Sequence, residues 1–147
     1  MRFLFLLIPT VLLLSCSKQI CPLKNGRIYE NENLDPYSMS DPNNYIIITS
    51  EFPEVYSVSD GEIISIILIP QDNKAILIKS KNREQKEYFY VYSGLESVNF
   101  QKGDTVHKKD ILGKLKFNGE FYELIFQYRE NSSFKQNPRN CIKCKTN

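Results

Sequence analysis

From Tyr45 onward the chain alternates short runs rich in isoleucine, valine, tyrosine and phenylalanine with clusters of asparagine, aspartate, glycine and proline. β-Branched and aromatic side chains suit a pleated surface, and short runs of them bounded by turn residues predict strands. Strands are expected over 45–49, 62–69, 75–80, 87–92, 111–117 and 120–129. No stretch repeats its apolar residues at the i, i+3, i+4 spacing of a long amphipathic helix. Asp60 with Gly61, Asp72 with Asn73, Gly103 with Asp104 and Asn118 with Gly119 mark turns. The last signal is the strongest, because both central residues of a type I′ turn need positive φ. It predicts a hairpin joining 111–117 to 120–129. Side chains alternate along a strand, so Phe121, Glu123, Ile125 and Gln127 share one face of the last run, and Tyr122, Leu124, Phe126 and Tyr128 share the other. The pattern predicts an all-β domain, an antiparallel sandwich or barrel.

The N-terminal pattern is of another kind. Residues 3–14 are apolar apart from Pro9 and Thr10, with one positive charge ahead of them at Arg2. This is the layout of a secretory signal, and it is too short to cross a hydrocarbon core, which takes about 20 apolar residues. Leu13, Leu14, Ser15 and Cys16 resemble the lipobox of bacterial lipoproteins. The resemblance implies removal of residues 1–15 and diacylation of the Cys16 thiol, which becomes the lipid attachment site and the new N-terminus. Several acyl chains hold a protein durably to a bilayer, each buried methylene contributing about 0.8 kcal/mol. Ser17 follows, and in the enteric sorting rule a serine there favours the outer membrane, facing the periplasm. From 17 to 44 the chain is polar and turn-rich, with Pro22, Pro36 and Pro42, and reads as a tether with an irregular lead-in. The expected organisation is a signal peptide over 1–15, a lipidated tether over 16–44 and one domain over 45–147.

Composition narrows the function classes. The formal charge is +2, one unit of which leaves with Arg2, and near neutrality argues against nucleic-acid binding. Lys135, Arg139, Lys143 and Lys145 cluster near the C-terminus and read as a solvated tail. Besides Cys16, the cysteines are Cys21, Cys141 and Cys144. In an oxidising compartment a pair of them forms a disulfide, but spacing does not fix which pair. The CxxC of Cys141 and Cys144 lacks the βαβ context of a redox motif, and zinc needs more ligands than a chain with one histidine and no second CxxC offers. A structural disulfide tying Cys21 to the C-terminal end is the simplest reading.

Several segments taken together resemble the LytM or lysostaphin-like zinc endopeptidases of peptidoglycan. Val55, Ser57, Asp60 and Gly61 are similar to the family's VxAxxDGxV strand and turn, and Tyr92, Ser93, Gly94, Leu95 fall where it has YxHL. Val98 and Phe100, then Gly103, Asp104, Val106, Lys108, Ile111 and Gly113 follow its VxVxxGDxVxKGQxIG run. Leu124 and Phe126 match the L and F of HLHFE, and Asn137 with Pro138 the closing DP. The resemblance covers about 44–142 and implies the duplicated hybrid motif fold. A biotinyl/lipoyl-like hybrid barrel, as in carrier domains and efflux adaptors, is the alternative, since the DGxI and GDxV segments resemble its halves. A carrier's lysine hairpin and an adaptor's coiled-coil heptads are both missing.

The family's chemistry uses a zinc ion held by the His and Asp of an HxxxD and by the second His of HxH, leaving a position open for an activated water. Two further histidines assist. Counting back from Gly61 puts Pro42 and Ile46 at HxxxD, while Gly94 stands for the His of YxHL and Glu123 and Ile125 for those of HxH. The histidine the chain has, His107, lies in the GDxVxK turn and reads as a surface residue. The resemblance therefore implies a degenerate member with no metal, no cofactor and no catalytic residue, and Glu123 as a polar groove residue. Degenerate members activate cell-wall amidases or serve in envelope assembly. The expected partners are the membrane, through the lipid, and peptidoglycan, a cell-wall hydrolase or another envelope protein. An active endopeptidase with noncanonical ligands is the remaining reading.

Overall fold

The computed structural model describes residues 19–29, 45–130, 134–135 and 138–146. Cys16 and Pro42 lie outside them, as does any signal peptide. Among the described residues the chain forms strands and one short 3₁₀ turn at Pro138–Asn140, with no α-helix. In chain order the strands are Gln19–Ile20 (β1), Arg27–Tyr29 (β2), Tyr45–Ser50 (β3), Glu54–Tyr56 (β4), Gly61–Ile69 (β5), Asn73–Lys81 (β6), Glu87–Val98 (β7), Thr105–Val106 (β8), Ile111–Leu115 (β9), Tyr122–Glu130 (β10), Phe134–Lys135 (β11), Ile142–Lys143 (β12) and Lys145–Thr146 (β13). The main sheet runs β13-β2-β3-β10-β7-β6-β5-β8, and β9 pairs with both β4 and β7.

One face of this sheet is the core. Ile46 and Ile48 of β3, Leu124, Phe126 and Tyr128 of β10, Tyr90 and Tyr92 of β7, and Ile76 and Ile78 of β6 are buried, in one cluster with Val55, Val58, Leu112 and Leu115. The period-two alternation of β10 is as its sequence predicts, with Leu124, Phe126 and Tyr128 inside. Most of the aromatic residues there are therefore core. Tyr92 meets Phe126 edge to face at 5.3 Å, and its hydroxyl accepts the Val58 N–H at 3.1 Å. That bond lets a phenol sit in an apolar core without leaving the backbone amide unpaired.

The segments 60–61 and 103–108, far apart in sequence, meet in space. Gly61 pairs with Val106 and Glu62 with Thr105, the Asp60 carboxylate accepts the Lys108 N–H, and the Asp110 carboxylate accepts that of His107. The turn aspartates thus satisfy the backbone donors that these sharp bends free.

The expected hairpin is corrected. The turn forms, but the positive φ falls on Gly119 alone, so the backbone does not follow the type I′ pattern. Asn118 instead accepts the N–H groups of Glu120 and Phe121 through its side chain. The flanking strands meet only at the Phe117–Tyr122 bridge. Both run along one edge of the twelve-residue β7, β10 beside Tyr88–Ser93 and β9 beside Leu95–Val98. Two strands laid end to end along a third cannot also form a ladder with each other.

The tether is corrected too. Residues 19–29 are part of the fold: β2 pairs antiparallel with β3 and parallel with β13, β1 pairs parallel with β12, and Leu23 and Ile28 are buried. Cys21 is bonded to Cys144 across 123 residues of sequence. Lys143 and Lys145, read as tail, are strand residues. The apolar positions of 19–29 are too few and too irregularly spaced to show a period. The Cys21–Cys144 bond, the pairing of β2 with β3 and β13 and of β1 with β12, and the Leu23–Val55 bridge hold them.

Candidate functional site

The sheet face opposite the core presents the positions singled out by the family pattern. Strand register aligns residues into rows, since directly paired residues point to the same face. One row crosses six strands: Tyr29 of β2, Ile47 of β3, Ile125 of β10, Ser93 of β7, Ala75 of β6 and Ile67 of β5. Its ends and centre are open, with Tyr29, Ile125 and Ile67 retaining 42%, 36% and 52% of their exposure. Beside it lies a shorter polar row of Arg27, Thr49 and Glu123. Farther along β10 and β7 come Gln127 and Val91.

Glu123, Ile125 and Gly94 come together. Gly94 sits where the edge of β7 passes from β10 to β9, between the Ser93–Ile125 and Leu95–Leu115 pairs, and opposite a register shift in β6. Its φ is +104°, and a Cβ built on it would lie 3.0 Å from the Glu123 carbonyl oxygen. Glycine is what this bulge requires. Ile46 does not join them. It is 5% exposed and pairs with Phe126, on the core side. The residues of β3 that face Ile125 and Glu123 are Ile47 and Thr49. Counting without gaps missed this by one position, and in a strand one position reverses the face. The run Tyr45–Ser50 is apolar at four successive residues, Tyr45 to Ile48, so its own pattern does not say which side is inside.

Glu123 is half-buried, and no ion pair or side-chain hydrogen bond engages it among the described residues. His107 is remote from this face, 73% exposed, with Nδ1 3.7 Å from the Asp110 carboxylate. Among the described residues no group of three or more His, Cys, Asp or Glu side chains is placed to hold a metal ion. Around the Glu123 and Ile125 positions stand the Arg27 guanidinium, the Thr49 and Ser93 hydroxyls and the apolar side chains of Tyr29 and Ile47.

No protein-family profile matches the sequence, and no curated protein does. Solved structures do match. Helicobacter pylori Csd3 is 23% identical with a TM-score of 0.56, over 70% of this chain and 27% of Csd3. Lysostaphin, in its solution structure, is 20% identical with a TM-score of 0.58, over 86% of this chain and 53% of lysostaphin. A chain of the SpoIIQ-SpoIIIAH pore-forming complex is 16% identical with a TM-score of 0.60, over 88% of this chain and 93% of its own length. The chain thus spans about a quarter of Csd3 and about half of lysostaphin. At these identities the likeness is one of fold: this chain has the all-β architecture of the LytM and lysostaphin-like peptidases.

Proposed function

We propose that this chain is a lipid-anchored protein of the bacterial cell envelope, attached through Cys16, whose LytM-like domain binds a partner and does not cleave peptidoglycan. The observation that carries the reading is the facing pair Ile47 and Ile125 on the open side of the sheet. A catalytic zinc site takes three protein ligands and an open position. The family's pattern puts one of its ligands at position 125, where isoleucine has no lone pair to give. Beside it Glu123 is a single carboxylate opposite Thr49, and Gly94 has no side chain. The residues present do not fit the ion, and no hydrolytic step runs through this face. What the face offers instead is a row of apolar side chains on three neighbouring strands, Tyr29, Ile47 and Ile125, the material of a binding surface. A fold neighbour that is a component of the SpoIIQ-SpoIIIAH complex supports an envelope protein as the ligand, with a peptidoglycan strand as the other reading.

Two measurements test this together. Zinc content of the purified chain after dialysis is expected far below stoichiometric, and muropeptide profiles of sacculi incubated with it are expected unchanged. Stoichiometric zinc, or new muropeptides that vanish in Glu123→Ala, would overturn the inactive reading. Recovery of the protein's partners from envelope extract with and without muramidase then separates a protein ligand from a glycan-borne one.

A further inference from the structure

A second site lies beside the groove, at the β13–β2–β3 edge, and shares Arg27 and Thr49 with its polar row. There a cleft of about 390 Å³ is lined by Asn25, Arg27, Thr49, Glu51, Phe121 and Lys145. Arg27 and Lys145 are directly paired positions of adjacent parallel strands. Like charges set opposite each other in a sheet destabilise it, and neither cation forms an ion pair among the described residues. An anion held between them would reverse that repulsion. The guanidinium offers a planar fork that matches a carboxylate, the ammonium a second charge, and the Thr49 hydroxyl and Asn25 amide further donors. Glu51 in the same cleft leaves its lining one positive charge in excess. That excess matches a singly charged carboxylate better than a dianionic phosphate. Phe121 supplies an apolar wall, and its ring lies 6.4 Å from that of Tyr29, centroid to centroid. Tyr29 also begins the apolar row of the groove face.

We propose that this cleft binds a carboxylate carried beside an aromatic or apolar side chain, as on a peptide segment, with Arg27 and Lys145 on the oxygens and Phe121 against the carbon skeleton. The site uses none of the positions of the family's metal, so it stands or falls independently of whether the groove cleaves.

The test is a titration of the full-length ¹⁵N-labelled chain, in mild detergent, followed by backbone amide shifts. N-acetyl-phenylalanine presents the carboxylate as a chain terminus, and an N-acetylated, C-amidated aspartyl-phenylalanine dipeptide presents it as a side chain. Comparing the two identifies which source the cleft prefers. The matching asparaginyl dipeptide and phenyl phosphate are the controls. Shifts at Arg27, Thr49 and Lys145 are expected, with the asparaginyl dipeptide weaker than the better carboxylate by at least about tenfold, the scale of a lost charge-assisted bond. The double variant Arg27→Gln, Lys145→Gln is expected to weaken that carboxylate by a similar factor, with a thermal melt no lower than the parent's, because both side chains are exposed and the change removes their mutual repulsion. Equal binding of the amide control, tighter binding of phenyl phosphate, or no shift at these residues would each overturn the proposal.

Discussion

At Gly94 two demands meet: the family pattern asks for a histidine, and the backbone asks for no side chain. The φ of +104° and the 3.0 Å approach to the Glu123 carbonyl mean that any Cβ is strained there. Gly94→His is therefore expected to lower stability by about 1–3 kcal/mol, read from the urea midpoint, and to bring no zinc with it. An unshifted midpoint would show that β7 relaxes around the new side chain. At this scale the sequence was legible where a residue's neighbours alternate cleanly. Glu123 and Ile125 lie on the open face as period two predicts, because Leu124 and Phe126 beside them are unmistakably core. Ile46 was misplaced because Tyr45, Ile46, Ile47 and Ile48 are all apolar, so hydrophobicity alone cannot fix the face, and only pairing with Phe126 does.

Among the elements, the strands of 45–49, 62–69, 75–80 and 120–129 follow from their composition, whereas the extent of β7 does not. Its second half reads Ser93, Gly94, Leu95, Glu96, Ser97, Val98, too polar and too broken by glycine to look like a strand, and it persists because β6 and β9 flank it. The Asn118 and Gly119 turn was visible from local chemistry, while the partners of the strands around it depended on β7, which no local signal reports. The first half of β7 and the facing part of β10 carry a stack of aromatic rings: Tyr90 lies 5.3 Å from Tyr128 and 6.3 Å from Phe126, ring to ring. Burial raises the phenol of Tyr90 from its ordinary 10.0 to about 12 and pushes those of Tyr92 and Tyr128 up as well. In the unfolded chain these groups lose their protons near pH 10, while in the fold they keep them, so above pH 10 the unfolded state is the one favoured. Stability contributed by the neutral Tyr90 phenol is whole below pH 10 and is lost as the pH rises through about 12. The slope approaches roughly 1.4 kcal/mol per pH unit for each phenol still protonated in the fold. Chemical denaturation at pH 9, 10, 11 and 12 checks this, and Tyr90→Phe should flatten the decline. A stability that holds level to pH 12 would mean the ring stack is wetter than its burial implies.

For the molecule as a whole, the segments 19–29 and 142–146 close the fold together, and this changes how a membrane anchor would hold it. The strand β1 begins at Gln19 and pairs beside β12, three residues after Cys16, a length that spans at most about 10 Å. A lipid on Cys16 would thus hold the domain against the bilayer, without the long spacer that composition suggested. Cys16→Ser is expected to move the protein from the membrane fraction to soluble or unprocessed pools, and unchanged partition would remove the lipobox reading. The bond between Cys21 and Cys144 joins the same two segments. A crosslink restricts the unfolded chain in proportion to the logarithm of the loop it closes, which for a loop on the order of 100 residues gives about 4–5 kcal/mol, against a usual measured loss of about 2–5 kcal/mol. The strands of 19–29 are short, two residues in β1 and three in β2, and besides the bridge the segment is held by burial of Leu23 and Ile28 and by bonds from the Tyr56 N–H to the Pro22 carbonyl and from the Ser50 hydroxyl to that of Lys24. Cys21→Ser with Cys144→Ser removes this bridge and leaves Cys141 as it is. The double variant should unfold at a lower guanidinium concentration, losing about 2–5 kcal/mol, and amide exchange should accelerate first in 19–29 and 142–146 while β6, β7 and β10 stay protected. Equal loss of protection everywhere would mean that these segments and the core unfold as one unit, and an unchanged midpoint would mean that the other contacts hold the segments without the bridge.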